Sequence, residues 1–368
     1  MTDLQCMFDF ENSDFFETAD SFRKDENVLS MLLYGRRKQN CRVSVMIPTY
    51  LRNDFIGKTI DSVLAQKTDI SYEVVVVDNN DDFTDLDTLL LLQQYKPEDI
   101  SYYKNEKNLG MFGNWNRCLK LANAEWILIL HDDDMIEDNY IEEMMKVVRK
   151  YPESVCIGCS HKEIDIDGRQ TVQKESALFR IKKRLETDKL FEIQMKDMYY
   201  VHPIDIMGCL LHKETAAAAG GFDERWYPVS DYIFLLNLVA RGRVLQLEKP
   251  LLQYRIAVNI SYRMDHVIGC LEADVSMRKC INQKYKLRSK NKDLWIRSLM
   301  ERSTEENLFA GFGSKLSQEE ISIVRDEFEK YRNYCGIRQV SDMSLFMFRW
   351  YVRWYVFQMR CLRGRRCK

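Results

Sequence analysis

The sequence predicts an α/β protein whose central sheet is mostly parallel and flanked by helices, with a helical C-terminal extension. Two apolar runs predict the sheet, residues 72–77 and 126–130, and each leads directly into carboxylates. A near-continuous apolar run is typical of a parallel strand that is buried on both faces. A helical pattern lies before each run and would provide the crossover that connects parallel strands.

The first predicted strand covers residues 42–50, where β-branched residues alternate until Pro48 ends the strand. Residues 54–66 then carry apolar side chains at helical spacing, and residues 72–77 form the next strand. The loop at residues 48–53 contains no glycine, so it is neither a dinucleotide-binding fingerprint nor a P-loop. Phosphates are therefore expected to be held by a metal ion rather than by a glycine-rich loop.

The third predicted unit repeats this order. A strand at Tyr102 and Tyr103 is followed by Asn108-Leu109-Gly110, by a helix, and by the strand at residues 126–130. Ligands of open α/β sheets bind at the carboxyl ends of the strands. The side chain of Asp78 and the carboxylates at residues 132–134 are therefore expected to share one cleft.

Three consecutive carboxylates, Asp132 to Asp134, follow the strand at residues 126–130. Their mutual repulsion would raise their pKa values unless a cation neutralised them. Hard divalent cations that bridge phosphate oxygens are the usual partners, so the cluster predicts a site for such a cation. The alternative is a solvated turn in front of the helix that begins near Asp138.

Five segments resemble, in order, the motifs of family 2 inverting glycosyltransferases, which have the Rossmann-like GT-A fold. The segments are Val45-Met46-Ile47-Pro48-Thr49-Tyr50, Val76-Val77-Asp78-Asn79-Asn80, the spacing from Asn108-x-Gly110 to Asn116, His131-Asp132-Asp133-Asp134, and Gly220-Gly221-Phe222-Asp223-Glu224 to Ser230-Asp231-Tyr232. The segment Pro250-Leu251-Leu252-Gln253-Tyr254-Arg255 resembles the closing strand of the family. The resemblance covers about residues 41–262.

The resemblance implies a set of donor-binding residues: Thr49, Tyr50, Arg52, Asp78, Asn108, Asn116 and Asp132. Asp78 would accept a hydrogen bond from the base of a nucleotide sugar, which is expected to be UDP-linked. Asn108 and Asn116 match positions beneath the nucleotide. A turn residue and a solvated helix residue are the alternatives at those two positions.

The resemblance also implies the metal ligands. Asp133 matches the last aspartate of the family's D-x-D motif, whereas His131 stands where the family usually has an aspartate. We expect Asp133 and His131 to bind a Mn²⁺ or Mg²⁺ ion, which would stabilise the leaving nucleoside diphosphate. A shifted pair of Asp132 and Asp134 remains open.

Inverting sugar transfer requires a base that takes the proton of the acceptor hydroxyl, and Asp231 is the candidate. It matches the acceptor-side motif of the family and precedes an apolar helical pattern at residues 232–239. The alternative is that Asp231 only caps this helix. Asp223 and Glu224 are expected to shape the preceding loop.

Composition indicates an intracellular enzyme. The chain has 368 residues, a formal net charge of -2 and 11 cysteines, an odd number that favours free thiols in a reducing compartment. We expect no signal peptide, and no apolar stretch reaches the ~18 residues that cross a bilayer. Cys156 and Cys159 lie in a strand-like segment before His161, which favours buried thiols over a zinc site.

The sequence divides into three parts. Residues 1–40 are expected to form an acidic, partly helical leader, and residues 41–262 the catalytic domain. Within that domain, residues 163–169 predict a hairpin and residues 175–200 a charged helical segment near the acceptor. Residues 263–368 are helical by pattern, with a break at residues 311–314.

The C-terminus carries a second functional signal. Residues 331–368 contain nine Lys and Arg residues and one acid. In a helix, one stripe would hold Trp350, Trp354, Phe357 and Cys361, flanked by Arg349, Arg353, Arg360 and Arg363. Aromatic and basic residues together favour an anionic membrane surface, here the cytoplasmic face of the inner membrane. The alternative is that the aromatic residues pack on the catalytic domain.

The sequence therefore predicts a metal-dependent inverting glycosyltransferase. It would transfer a sugar from a nucleotide sugar to a hydroxyl of a glycan or lipid-linked glycan, in the biosynthesis of a bacterial surface polysaccharide. The alternative is a catalytically inactive relative that binds nucleotide sugars or glycans, in which His131 marks a decayed metal motif. The presence of Asp78, Asp133 and Asp231 together argues against it. Nucleic-acid binding is a poorer fit because the rest of the chain is slightly acidic.

Overall fold

The computed structural model describes residues 13–171, 189–201, 203–256, 264–312, 317–335 and 340–359. The strands of this part are β1 (Ser30–Gly35), β2 (Val43–Thr49), β3 (Tyr72–Asp78), β4 (Ser101–Asn105), β5 (Trp126–Ile129), β6 (Met135–Ile136), β7 (Ser154–Ile164), β8 (Leu190–Ile193), β9 (Leu210–His212) and β10 (Arg243–Arg255).

The helices of the described residues follow the same numbering. They are α1 (Asn53–Leu64), α2 (Asp87–Leu92), α3 (Gly110–Leu121), α4 (Tyr140–Lys150), α5 (Met195–Tyr200), α6 (Lys213–Ala218), α7 (Ser230–Arg241), α8 (Met264–Tyr285), α9 (Lys290–Phe312), α10 (Gln318–Cys335) and α11 (Asp342–Gln358), with a 3₁₀ turn at Glu224–Trp226. In the parts of the chain that are described, no helix is both long and apolar enough to cross a membrane.

The strands form one sheet in the order β1-β4-β3-β2-β5-β9-β7-β10-β6, and β8 pairs with β10. Strands β4, β3, β2 and β5 are parallel neighbours, and β7 is parallel to β10. The remaining pairs are antiparallel. The prediction of a mostly parallel central sheet with flanking helices is confirmed.

The parallel strands are buried on both faces, as their apolar runs predict. Val75 and Val77 pack in one apolar layer, whereas Val74 and Val76 pack in the other. This alternation follows from the two-residue period of a strand. The predicted connections through α1 and α3 are present, so the ends of β2, β3 and β5 meet at one edge of the sheet.

The C-terminal region is helical as predicted, and α9 ends at Phe312, within the predicted break. Helix α11 packs on α5 through aromatic contacts. The Tyr355 ring lies 5.0 Å from the Tyr200 ring, and the Tyr355 hydroxyl donates a hydrogen bond of 2.6 Å to Asp197. These contacts join the helical region to the sheet domain.

Two predictions of local structure were wrong. The leader at residues 1–40 was expected to be partly helical; its residues 13–40 form no helix, β1 instead extends the sheet by pairing with β4, and residues 1–12 lie outside the described residues. Within the predicted helical segment at residues 175–200, β8 pairs with β10 before the short helix α5. Residues 172–188 of that segment lie outside the described residues.

Two other local predictions are confirmed. The backbone amide of Asp165 donates to the carbonyl of Arg169, which closes the predicted hairpin at the end of β7. Cys156 and Cys159 lie on β7 as buried free thiols. Neither belongs to the candidate metal cluster that the described residues contain.

Candidate active site

A cavity of about 1360 Å³ lies at the C-terminal edge of the parallel strands and continues toward the helical region. The sheet end is lined by Thr49 at the end of β2, Asn79 after β3 and His131 after β5. The cavity continues past Asp231 to residues of α8, α9 and α11. The chain therefore folds the polar strand ends and the C-terminal helices around one shared space.

An ion-pair network lies at the sheet end of this cavity. The Thr49 hydroxyl donates to Asp132 over 2.8 Å. The Arg52 guanidinium donates to Asp132 over 3.4 Å and to Asp133 over 2.6 Å. Arg52 thus supplies positive charge to two carboxylates that the sequence assigned to donor and metal binding. Tyr50 also lines this end and is about half exposed.

The carboxylates after β5 form the candidate metal centre. Ligand atoms of His131, Asp133 and Asp134 all lie within 4.8 Å of one another. Because Mg²⁺–oxygen bonds are about 2.1 Å long, one ion spans about 4.2 Å between opposite ligands, so small side-chain rotations would complete the site. Two carboxylates and an imidazole are donors that suit Mn²⁺. Asp134 therefore joins the predicted pair of Asp133 and His131 as a candidate ligand.

Burial controls the charge of these groups. It raises the pKa of Asp132 to about 7, although the hydrogen bond from Thr49 and the charge of Arg52 oppose this shift. Burial, with the negative charge of Asp133, raises the pKa of Asp134 well above its usual range. Burial also lowers the pKa of His131, which favours the neutral imidazole that can bind a metal. A bound cation would favour the charged carboxylates.

Asn79 is a cavity-lining residue that the sequence did not single out. Its side-chain amide donates to Asn108 over 2.8 Å and to the carbonyl of Gly110 over 3.1 Å. Its side-chain oxygen accepts from Leu109 and Asn105. Asn79 thereby ties the end of β3 to the start of α3. The polar position after Asp78 is the signal that could have identified it.

The structure separates two of the predicted donor-binding residues from the cavity surface. Asp78 is buried, and its carboxylate accepts from the Tyr102 hydroxyl over 2.7 Å and from the Asn80 amide over 2.9 Å. It lies directly behind Asn79 and is not among the residues that line the cavity. Its contact with a nucleotide base stays a prediction.

Asn116 also lies away from the cavity lining, on the side of α3 that faces the loop before α7. Its amide donates to the Phe222 carbonyl over 2.8 Å, and its oxygen accepts from the Phe222 amide over 2.7 Å. Gly221 fits beside it at φ +74°, where an added Cβ would lie 2.4 Å from the Asn116 oxygen. The glycine of this motif therefore permits a close approach that any side chain would block.

Asp231 lies in the first turn of α7 and lines the cavity, as the sequence predicts. One carboxylate oxygen accepts from the backbone amide of Tyr232 over 2.8 Å, and the side chain is partly exposed. Burial, and to a smaller extent the charge of Asp231, raises the pKa of the nearby Cys270 thiol to about 12. A partly exposed carboxylate at this place can accept a proton from a hydroxyl group bound in the cavity.

The far end of the cavity is formed by the helical region. Asp274 and Arg278 line it and form a bidentate pair with distances of 2.9 and 2.7 Å. Arg349 and Arg353 of α11 also line this end. Asp205 also lines the cavity and was not identified as a site residue from the sequence.

Residues 44–213 match the protein family described as glycosyl transferase family 2. The chain contains a family 2 glycosyltransferase domain. This confirms the family resemblance read from the motifs. The matched residues include Thr49, Arg52 and the carboxylates at residues 132–134, whereas Asp231 and α11 lie beyond them.

Two relatives match parts of the chain. The uncharacterized protein MT1568 of Mycobacterium tuberculosis is 27% identical over 210 residues, 55% of this chain and 63% of that protein. The uncharacterized glycosyltransferase MG060 of Mycoplasma genitalium is 32% identical over 112 residues, 30% of this chain and 38% of that protein. The chain therefore spans less than two thirds of the length of these relatives.

A solved structure supports the GT-A fold of the family 2 domain. S. aureus TarS 1-349, in complex with UDP-GlcNAc, matches with a TM-score of 0.53 at 18% identity. The match covers 79% of this chain and 81% of that chain. Similarity at this level of identity concerns the fold, so the chemistry of the site is argued from the residues of this chain.

Proposed function

We propose that the protein is a metal-dependent inverting glycosyltransferase that transfers a sugar from a UDP-sugar to a hydroxyl of a glycan or lipid-linked glycan. The observation that carries this proposal is the cavity that is lined both by His131 and Asp133, two of the three candidate metal ligands, and by Asp231. The family 2 domain and the fold shared with TarS, which was solved with UDP-GlcNAc, support it. Surface polysaccharide biosynthesis is the proposed process.

The donor would bind at the sheet end of the cavity. Thr49 ends β2, and Tyr50 and Arg52 follow it. Asn79 follows β3, and Asn108 lies between β4 and α3. These residues offer hydroxyl, amide and guanidinium groups, which suit a ribose and a base. Asp78 holds Asn80 and Tyr102 in place behind this wall, so we assign it an indirect contribution to the donor site.

His131, Asp133 and Asp134 would hold Mn²⁺ or Mg²⁺. The ion would supply positive charge for the leaving nucleoside diphosphate. The guanidinium of Arg52 lies 2.6 Å from Asp133 and adds a second positive charge at the same place. The loop after β2 contains no glycine, which is consistent with phosphates that are held by charge rather than by a backbone cradle.

Asp231 would act as the base. Its hydrogen bond from the Tyr232 amide fixes one carboxylate oxygen, and the other oxygen would accept the proton of the acceptor hydroxyl. Inversion follows when this hydroxyl attacks the sugar carbon from the side opposite the leaving diphosphate. The carboxylate in the first turn of α7 is also favoured by the helix dipole, which helps to keep it charged before the reaction.

A screen of nucleotide sugars with Mn²⁺ and Mg²⁺ tests the proposed function. Asp231→Asn keeps the size and the hydrogen bond of the side chain but cannot take a proton. We expect kcat to fall by about 10²- to 10⁴-fold while UDP affinity stays near wild type. Glu224→Gln is the matched control, because Glu224 is exposed in the preceding loop and does not line the cavity.

Two outcomes would contradict this mechanism. Retained turnover in Asp231→Asn would place the base elsewhere, with Asp205 as another carboxylate that lines the cavity. UDP binding without hydrolysis or transfer for any nucleotide sugar would instead favour an inactive binding relative.

We infer that α11 also attaches the protein to an anionic membrane surface, at the cytoplasmic face where nucleotide sugars are available. One stripe of this helix is exposed and consists of Met343, Phe346, Met347, Trp350, Trp354 and Phe357. Its opposite face holds Leu345 and Phe348, which are buried. The exposed stripe therefore lies on the side of α11 opposite its packed face. Cys361, the remaining member of the predicted stripe, and the flanking Arg360 and Arg363 lie outside the described residues.

The charged residues near the exposed stripe of α11 favour a lipid surface over a protein as its binding partner. Arg349 and Arg353 lie beside the exposed stripe, and five further Lys and Arg residues follow in residues 360–368. Exposed aromatic and apolar side chains with flanking cations are typical of helices that lie in the headgroup region of an anionic bilayer.

A further inference from the structure

Two arginines of α11 form a cationic wall at the helical end of the cavity. Arg349 and Arg353 are four residues apart, so they lie on neighbouring turns of the same helix face. Both line the cavity, together with their helix neighbours Phe348 and Val352. The two arginines therefore border the same space that Asp231 lines.

Contacts within the described residues leave both arginines able to bind an anion. Arg353 is exposed, and within the described chain no hydrogen bond or ion pair joins it to another residue. The Arg349 guanidinium lies 3.1 Å from the Glu306 carboxylate and donates to the Ser303 hydroxyl over 3.4 Å. The side chains of Arg349 and Glu306 are both more than a third exposed. An exposed pair of this kind contributes little to stability, so Glu306 can orient Arg349 without preventing it from binding an anion.

The other charged residues that line this end form one neutral pair. Arg278 and Asp274 neutralise each other through their bidentate contact. The donor diphosphate is expected at the opposite end, where Arg52 and the carboxylate cluster lie. The cations of α11 are therefore available for a different anion.

The position of these arginines relative to Asp231 is fixed by packing. Tyr355 of α11 binds Asp197 of α5 and packs on Tyr200. Helix α5 is in turn tied to α7 by the Tyr232 hydroxyl, which lies 3.3 Å from the carbonyls of Met198 and Val201. Asp231 directly precedes Tyr232. One continuous set of contacts thus links the candidate base to the cationic wall.

We propose that Arg349 and Arg353 bind a phosphate group carried by the acceptor substrate. Two guanidinium forks one helical turn apart can share the three or four oxygens of a phosphate, whereas one fork already satisfies a carboxylate. The acceptor would then be a phosphorylated polyol or a lipid phosphate whose hydroxyl group or glycan reaches Asp231. This proposal rests on the proposed function, because it assigns the acceptor of that reaction.

A binding experiment tests the site without requiring turnover. The protein is first saturated with UDP and Mn²⁺, so that phosphate cannot bind at the donor end. Calorimetry then measures binding of glycerol 3-phosphate and of farnesyl phosphate, each against its uncharged alcohol and against glucuronate. We expect both phosphates to bind more tightly than their alcohols, and Arg349→Ala or Arg353→Ala to weaken that binding about tenfold each.

Controls separate this site from general electrostatics and from misfolding. Lys292→Ala removes an exposed positive charge from α9 that does not line the cavity, and it should bind the phosphates like wild type. UDP affinity should be unchanged in all three variants, which shows that the donor end is intact. The stronger of the two phosphates identifies whether the acceptor is a polyol phosphate or a lipid phosphate.

Several results would overturn the proposal. They are phosphates that bind no better than their alcohols, a double variant of Arg349 and Arg353 that binds as wild type, and glucuronate that binds more tightly than either phosphate. If phosphate binds as expected but no nucleotide sugar is turned over, the anion site stands and the proposed function fails. If a nucleotide sugar is turned over but phosphate does not bind, the proposed function stands and the anion site fails.

Discussion

Arg52 contacts two carboxylates that are proposed to have different tasks. It approaches Asp133, a candidate metal ligand, and Asp132, which Thr49 already holds from the other side. In the absence of a metal, Arg52 is the counter-charge of the cluster. When a metal and a diphosphate are bound, the guanidinium can turn from Asp133 to the phosphate oxygens, since its side chain is about one third exposed.

Asp133→Ala is expected to abolish metal-dependent donor binding. The substitution removes the carboxylate that lines the cavity and belongs to the candidate metal centre, so the diphosphate loses its compensating charge. Calorimetry with UDP, with and without Mn²⁺, measures the effect. Asp138→Ala is the control, because Asp138 follows the same loop but pairs with Lys67 outside the cavity. Metal-dependent UDP affinity that survives in Asp133→Ala would refute the metal assignment.

Asp134→Asn is expected to stabilise the metal-free protein at neutral pH and to remove its response to metal. Because burial raises the pKa of Asp134, the folded state binds a proton more tightly than the unfolded state, and the wild type loses stability as pH rises above about 4. Asparagine has no such charge and can still accept from the Arg255 amide.

Thermal unfolding in EDTA and in Mn²⁺ across this pH range measures both effects. We expect Mn²⁺ to raise the Tm of the wild type, because a ligand that binds only the folded state stabilises it, but not that of Asp134→Asn. An equal rise in both proteins would exclude Asp134 from the metal site.

At the scale of elements, Asn116 provides the side-chain hydrogen bonds between α3 and Phe222 in the loop before α7, where Phe112 and Trp115 also pack on the Phe222 ring. Asn116→Ala removes both hydrogen bonds to Phe222 and leaves a buried amide and carbonyl without that partner. We expect the free energy of unfolding to fall by about 2–3 kcal/mol. Denaturant unfolding measures the loss, and UDP affinity of the folded protein should stay near wild type. A selective loss of UDP affinity would instead support the direct role implied by the family resemblance.

The elements could be predicted where one physical pattern dominated. The buried strands β2, β3 and β5 are nearly continuous apolar runs, and helices α1 and α3 between them carry apolar residues at helical spacing. Strand β1 was missed because it is a six-residue strand at the edge of the sheet, with exposed Met31, Leu32 and Leu33 that match no strand alternation. Its pairing with β4 is a long-range contact that no local pattern records.

The site could be predicted only in part for a related reason. A motif places a residue at a strand end or on a helix, but not the direction of its side chain. Asp78 and Asn79 are adjacent, yet only Asn79 reaches the cavity surface. Asn116 lies on a cavity-forming helix but faces Phe222. The cationic wall of α11 could not be found, because the tertiary packing of α11 on α5 brings it to the cavity.

At the scale of the whole molecule, the proposed donor and acceptor ends of the cavity come from different parts of the chain. The family 2 domain supplies the strand ends, and the helical region closes the other end of the same cavity. Helix α11 has two further surfaces. The face with Arg349 and Arg353 lines the cavity, and the adjacent stripe with Trp350 and Trp354 is exposed. A protein seated on a membrane through this stripe would have its acceptor end next to the lipid surface.

Replacement of Trp350 and Trp354 by serine should release the protein from anionic membranes without unfolding it. Both side chains are largely exposed, 62% and 43%, so their loss costs little packing but removes apolar area that would enter the headgroup region. Co-sedimentation with vesicles that contain anionic lipid measures binding, and added salt should weaken it because the cations beside the stripe are screened.

Trp295→Ser is the matched control for this experiment, since Trp295 is 50% exposed on α9, away from the stripe. We expect it to sediment with the vesicles like wild type, whereas the double variant stays in the supernatant with an unchanged Tm. If wild type ignores anionic vesicles and the double variant instead changes the oligomeric state in sedimentation analysis, the stripe is an interface between copies of the chain. If the Tm of the double variant falls well below that of the wild type, these tryptophans stabilise the fold, and the membrane interpretation of α11 is wrong.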